Sequence, residues 1–266
     1  MRIGTAIFGL ASMAAGALDL AWGEFEPAHQ PLHAWGDHIP GMTVMAYLAA
    51  LWLILGGAAM LWRQTERGGA AALTILYCIF VLFPLPRFVT APHYLGYRLS
   101  VYIGVTANLC MEVVLAAGAA IAWASLRGPV SPVAARALRV IFGLCSVFFG
   151  LGHFAAIQAT QAMIPKWLPG GTFWVLLTGT AFLLAGLAIL FGVLDALAAW
   201  LLGTMLLVFS VVLLTPGIFV HPHNHVAWGG DAYNLTVAGA AWIVAEWLGG
   251  RRVAVESASR PEPSLA

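Results

Sequence analysis

The sequence predicts an all-α membrane protein with eight transmembrane helices, arranged as two parallel repeats of four helices. Its composition is the first reason, because 61% of the 266 residues are hydrophobic and only 9% are charged, whereas about a quarter are charged in a soluble domain. The second is that a span needs about 20 mainly apolar residues, and the chain has room for eight such spans. A net charge of +1 without a basic stripe excludes nucleic-acid binding.

An internal repeat is the third reason, and it sets the architecture. The sequence IFGL at 7–10 recurs at 141–144, and a glycine follows each copy at the same distance, Gly16 in the first and Gly150 in the second. Further matches lie between the helices: Ile39-Pro40-Gly41 with Leu168-Pro169-Gly170, and the pair Pro84 and His93, nine apart, with Pro216 and His225. The glycines within the matched helices are predicted to let helices pack closely.

The first repeat, residues 1–126, is predicted to hold spans at 3–22, 42–62, 69–84 and 101–125. No cleavage site follows the first apolar stretch, so it is predicted to be an uncleaved span. Acidic residues and three histidines occupy the first loop, 23–41, and the polar text RQTERG separates the second and third spans. Pro84 and Pro86 end the third span, and a loop is predicted over 85–100.

A linker, RGPVSPVAARALR at 127–139, separates the repeats. The second repeat, 140–249, is predicted to hold spans at 140–157, 173–193, 196–220 and 235–248, and the polar tail at 250–266 is predicted to be disordered. Of the twelve Lys and Arg, only Arg87, Arg98 and Lys166 lie on the side away from both termini. The positive-inside rule therefore predicts that both termini are cytoplasmic, in a bacterial cytoplasmic membrane. An even number of spans per repeat makes the repeats parallel.

The second repeat, over most of 139–248, resembles the DoxX-like family of small four-helix membrane proteins. The residues that carry the resemblance are Gly150-Leu-Gly-His153-Phe154, Ile164-Pro-Lys-Trp-Leu-Pro169, Thr178-Gly179, Gly186, Pro216 to His221-Pro222, and Asn234. With the first repeat as a diverged copy, the chain looks like a tandem DoxX-like protein. Family members often carry a Glu near the position of Phe182, and the first repeat has Asp19 where the second has His153. The resemblance implies a four-helix unit in the membrane and, for some members, thiol or sulfur oxidation with quinone as acceptor.

Ionisable and amide side chains inside the spans are candidates for a ligand or proton site. Glu112 lies near the middle of the fourth span, and Asn108 is one turn away on the same face, so Asn108 is its predicted hydrogen-bond partner. A neutral Glu112 suits a quinone headgroup or a proton relay, and the alternative is a structural bond between helices. Asp19 and His153 occupy equivalent places and could approach each other, and Asn234 is a further candidate.

A second candidate site is formed by histidines on the non-cytoplasmic side. His221, His223 and His225 alternate along the chain, so in extended backbone they would point the same way. With His93 or Asp231 they could hold zinc or copper. The alternative is an interfacial loop that binds nothing.

The predicted function is that of an integral membrane component of quinone- or thiol-based redox chemistry. It would use quinone, or a metal at the outer histidines, and would meet a redox partner in the membrane or periplasm. The alternatives are a non-enzymatic small-molecule binder or permease, and an assembly subunit. No nucleophile–base pair is recognisable in the sequence, so the sequence leaves open whether the protein is an enzyme.

The three cysteines lie in apolar segments without a CxxC motif and are predicted to be buried thiols: Cys78, Cys110 and Cys145.

Overall fold

A computed structural model describes residues 2–26, 29, 41–128 and 130–258, and within these ranges the chain is helical and contains no strand. The helices, in chain order, are α1 Ile3–Trp22, α2 Met42–Met60, α3 Glu66–Leu82, α4 Arg87–Leu95, α5 Leu99–Ser125, α6 Pro132–Ala155, α7 Ile157–Ala162, α8 Gly171–Phe191, α9 Asp195–Phe209, α10 Thr215–Val220 and α11 His225–Ala258. A π-helical turn, Ser210–Leu214, joins α9 to α10.

Seven helical segments in the described ranges are long and apolar enough to cross a membrane: α1, α2, α3 with α4, α5, α6, α8, and α9 through α10. The described part of the chain is therefore all-helical and compatible with a multi-pass membrane protein. The predicted span at 235–248 falls in α11, which is not among the seven. Polar residues such as Asp231 and Asn234 lower the hydropathy of α11. Its middle is buried against protein, with Ala238, Ala240 and Val244 fully covered.

Three segments that were predicted to be irregular are helical. The predicted loop at 85–100 contains α4, and the predicted linker at 127–139 already belongs to α6 from Pro132 onwards. Ser131 starts α6 because its hydroxyl accepts a hydrogen bond from the Ala134 N–H at 3.2 Å, and proline is favoured at the first helical position. In the tail at 250–266, α11 continues to Ala258, since no helix breaker precedes Pro261.

Neighbouring helices approach each other most closely at glycines that match between the two halves of the chain. A Cβ placed on Gly57 of α2 would lie 2.5 Å from the Gly9 carbonyl oxygen of α1, and a Cβ on Gly186 of α8 would lie 2.8 Å from that of Gly143 of α6. Only glycine allows backbones to approach this closely. The predicted packing role of these glycines is confirmed.

The order of helices around the bundle places α11 at its centre. Helix α1 packs on α2 and α11, α6 packs on α8 and α5, and α11 also contacts α5 and α9. The Gly4 N–H near the start of α1 donates to Glu246 Oε1 of α11 at 3.2 Å, while Trp22 at the end of α1 stacks on His225 at the start of α11. The end of the bundle at which α1 begins is called the termini end. The opposite end is called the far end.

Candidate functional site

The far half of the bundle buries a group of ionisable side chains, although the chain as a whole has few charges. The members are Asp19, Glu26, His29, Glu112 and His225, which we call the carboxylate–histidine cluster. They come from α1, the connection after α1, α5 and α11. Burying a charge among apolar helices is costly, so such a concentration of ionisable groups indicates a functional site.

The closest contact in the cluster joins His29 to Glu112. His29 Nδ1 lies 2.9 Å from Glu112 Oε2 and 3.0 Å from Oε1, and the two side chains are 3% and 1% exposed. Glu112 is near the middle of α5, whereas His29 belongs to the connection between α1 and α2. That connection therefore enters the bundle at His29. Non-helical backbone is tolerated at such a place only where protein surrounds it or a cavity adjoins it.

Aromatic rings surround His29. The Phe80 ring stacks on the imidazole at a centroid distance of 4.6 Å, and the rings of Tyr77 and Tyr233 lie at 6.2 Å and 5.9 Å. Phe25 packs edge-on against Phe80 at 6.2 Å. These rings keep water away from the ion pair, and electrostatic interactions are stronger where water is excluded.

The charge state of His29 follows from two opposing effects. Burial is the largest single effect and lowers the pKa of the imidazole. The charge and hydrogen bond of the adjacent Glu112, together with the charges of Glu26 and Asp19, outweigh burial, so the pKa of His29 is raised to about 9. At neutral pH His29 is therefore an imidazolium that is hydrogen-bonded to the Glu112 side chain.

A second pair lies nearer the surface. His225 Nε2 is 3.5 Å from Asp19 Oδ1, and His225 Nδ1 is 3.1 Å from Oε1 of Glu24, whose side chain is 53% exposed. The imidazole stacks on Trp22, with centroids 4.9 Å apart and planes 5° from parallel. His225 thus connects a solvent-exposed carboxylate to a fully buried one.

Backbone contacts join the two pairs. Asp19 Oδ1 accepts a hydrogen bond from the Glu26 N–H at 2.8 Å, and the Glu26 carbonyl accepts one from the His29 N–H at 2.9 Å. Asp19 Oδ2 has no hydrogen-bond partner in the described part of the chain. A series of ionisable side chains therefore extends from the exposed Glu24 through His225 and Asp19 towards the His29–Glu112 pair, and in the described part of the chain no hydrogen bond joins His225 Nε2 to Asp19. Histidine is the natural proton carrier near neutral pH.

The prediction that Asn108 is the hydrogen-bond partner of Glu112 was wrong. Asn108 Oδ1 instead accepts a hydrogen bond from Arg87 Nη1 at 2.6 Å, and the Asn108 amide nitrogen faces Met111 Sδ at 3.8 Å. Glu112 binds His29, because a charged imidazolium is a stronger partner for a carboxylate than a neutral amide is.

Asp19 and His153 lie in different surroundings. The His153 ring N–H at Nδ1 donates to the Phe149 carbonyl of its own helix at 2.7 Å, and the ring lies 5.2 Å from that of Phe182. Asp19 meets His225 instead, because α1 packs on α11 while α6 packs on α8 and α5. The remaining candidate, Asn234, donates from Nδ2 to the Leu206 carbonyl at 2.6 Å.

The outer histidines do not converge. His93, His221 and His223 are exposed, whereas His225 is buried in the cluster. The segment from His221 to His225 is a turn and not an extended strand, because His221 ends α10 and the Asn224 side chain accepts a hydrogen bond from the Val226 N–H at 2.9 Å near the start of α11. Within the described ranges, no three His, Cys, Asp or Glu side chains form a group that could hold a metal ion. His33 and His38 lie outside those ranges.

His29 and Tyr77 are the site residues that sequence reasoning missed. His29 looked like one of several loop histidines, and Tyr77, whose hydroxyl is 2.9 Å from Ser12 Oγ, looked like part of an apolar span. The one sequence signal for a buried site in this loop was Phe25, an aromatic residue between two acidic ones in a polar loop.

Cys78 also differs from its prediction, because it is exposed on the bundle surface while Cys110 and Cys145 are buried.

Comparisons with family models, curated proteins and solved structures found no match to this chain.

Proposed function

We propose that this protein is a DoxX-like integral membrane protein whose carboxylate–histidine cluster takes up and releases protons for quinone- or thiol-linked redox chemistry. The observation that carries the proposal is the buried His29–Glu112 pair, with both side chains at most 3% exposed. Such a pair has two states that differ by one proton: an imidazolium with a carboxylate, and the neutral imidazole with a carboxylate that remains when the proton leaves. Reduction of a quinone consumes protons, and a buried pair connected to the surface can supply them.

The composition of the cluster supports this role. Three of its members, Asp19, Glu26 and Glu112, are carboxylic acids, and only two are histidines. Even with both histidines protonated, three ionised acids would leave excess negative charge in a water-poor interior. The cluster therefore favours proton uptake, and the exposed Glu24 beside His225 provides an entry point for the proton.

A pair of thiols supports the thiol version of the proposal. The side chains of Cys110 on α5 and Cys145 on α6 are buried neighbours, and Cys110 is two residues from Glu112. Oxidation of such a pair to a disulfide releases two electrons and two protons, which a quinone would accept. A membrane or periplasmic redox partner belongs to the same proposal.

The architecture that we propose has eight spans, with α11 as the eighth, in two parallel four-helix repeats in a bacterial cytoplasmic membrane with both termini cytoplasmic. Equivalent glycine contacts in the two halves support the repeats. Gly9 and Gly57 meet between α1 and α2 as Gly143 and Gly186 meet between α6 and α8. In addition, α2 and α8 each begin after a left-handed glycine, Gly41 with φ 75° and Gly170 with φ 77°.

A proton titration tests the proposed function. The purified protein, in weakly buffered detergent solution, should release one proton with a midpoint near pH 9, the pKa of His29, and His29→Gln should abolish this release. Binding of a soluble quinone analogue, followed by tryptophan quenching, should be pH-dependent over the same range and should be lost in Glu112→Gln. The control is Thr204→Val, which removes an exposed hydroxyl that bonds only its own helix. An absence of quinone binding in the wild type, with the same proton release in His29→Gln, would contradict the proposal.

A permease or small-molecule binder is the second candidate function. The observation that favours it is the π-helical turn that interrupts the last apolar segment between α9 and α10, because interrupted helices often form ion and substrate sites in transporters.

A further inference from the structure

A second polar group, in which two side chains are buried and two are half-buried, lies on another face of α11. It consists of Ser210, Thr215, Asp231 and Asn234, and we call it the Asp231 site. Asp231 and Asn234 are three residues apart on α11, so they share one face, and this face meets the π-helical turn and α10. Hydrogen bonds from Asn234 Nδ2 to the Leu206 carbonyl at 2.6 Å and to Ser210 Oγ at 2.8 Å join α11 to that turn.

The backbone at this place departs from the α-helix. In the π-helical turn Ser210–Leu214, the Thr215 N–H donates to the Ser210 carbonyl, five residues back. The next residue, Pro216, has no N–H, so it removes a donor that a carbonyl of this turn would otherwise use. Such turns are uncommon and frequently occur at functional sites.

Asp231 is the acidic member, and no basic side chain forms an ion pair with it in the part of the chain that the structure describes. The residue is 7% exposed. Its Oδ2 accepts a hydrogen bond from the Thr215 hydroxyl at 2.9 Å, whereas its Oδ1 has no hydrogen-bond partner in the described part of the chain. A buried carboxylate oxygen without a partner is costly. A bound cation would remove this cost.

We infer that the Asp231 site binds sodium, a monovalent hard cation. The groups that we propose as ligands are all oxygens: the Asp231 carboxylate and the Thr215 and Ser210 hydroxyls. Hard cations prefer oxygen ligands, whereas zinc and copper prefer nitrogen and sulfur. A single carboxylate balances one positive charge, and carbonyls of interrupted membrane helices coordinate sodium in transporters. This inference goes beyond the proposed proton chemistry and uses none of its residues.

Direct binding of radiolabelled sodium to the purified full-length protein tests the inference. The wild type should bind one equivalent, which unlabelled sodium displaces, and Asp231→Asn should bind none. Thr215→Val should weaken binding by about tenfold or more, because it removes a hydroxyl ligand that also orients the carboxylate. Thr204→Val is the matched control on α9, since its hydroxyl bonds only the Trp200 carbonyl, and it should bind like the wild type.

A stability measurement gives an independent readout. Sodium chloride should raise the Tm of the wild type above its value in choline chloride at equal ionic strength, because a ligand that binds the folded state stabilises it. Asp231→Asn should have the same Tm in both salts, and if that variant does not fold, Thr215→Val and Ser210→Ala serve in its place. Wild-type protein that binds no sodium between pH 6 and 9, or variants that bind as well as the wild type, would overturn the inference.

Discussion

The buried His29–Glu112 pair gives a quantitative prediction for stability. The perturbations are His29→Gln, Glu112→Gln and the double variant. Removing one partner of a buried ion pair leaves an uncompensated charge and costs about 3–5 kcal/mol, whereas replacing both partners with neutral groups costs much less. Because the two nitrogen–oxygen distances are 2.9 Å and 3.0 Å, the pair should couple strongly. The double variant should be more stable than the sum of the single effects predicts, by about 2 kcal/mol or more.

The pH dependence of stability follows from the same pair. The pKa of His29 is raised from 6.5 to about 9, so folding is favoured by protonation of this group. Its contribution is fully present below pH 6.5 and is lost as the pH rises through 9. A shift of this size corresponds to about 3 kcal/mol. In Glu112→Gln, the loss of stability over this range of pH should largely disappear.

The assay is unfolding of the purified protein in mixed micelles, followed by tryptophan fluorescence at several pH values. Ser12→Ala is the control, because it removes a buried neutral hydrogen bond to Tyr77 and should cost about 1 kcal/mol at every pH. Additive single effects, together with wild-type stability that does not change between pH 6.5 and 9, would refute the assignment of an ion pair.

Three further predictions concern packing, topology and proton access. Gly57→Val should destabilise the fold by several kcal/mol, since a Cβ there would lie 2.5 Å from a backbone oxygen, whereas Gly68→Val, with nothing within 4 Å, should be nearly neutral in thermal unfolding. Reporter fusions after Gly68 and Arg127 should be active only as cytoplasmic reporters, and a periplasmic signal at either position would overturn the orientation. His225→Phe should keep the stacking on Trp22 but slow proton uptake after a pH jump, and an unchanged rate would exclude His225 from the relay.

The sequence by itself determined the class of the protein and the places of most spans. Apolar stretches of about 20 residues predict membrane helices, because span length depends only on local composition and bilayer thickness. The first predicted span, 3–22, has the bounds of α1, and the span predicted at 173–193 overlaps α8 closely. The packing role of Gly9 and Gly143 was also predicted from the sequence, because small residues at matching positions in membrane helices mainly allow neighbouring helices to approach closely.

Polar partners were decided only by the tertiary structure. Glu112 was recognisable as costly in any lipid environment, but His29 lies 83 residues away in a connection that carries no periodic signal. Likewise, the sequence predicted a span at 235–248 within α11, but the place of α11 at the centre of the bundle depends on α1, α5 and α9 packing around it. Hydropathy is a local property of the chain, whereas an ion pair or a buried helix face depends on which helices meet, and helix contacts arise only when the whole bundle packs.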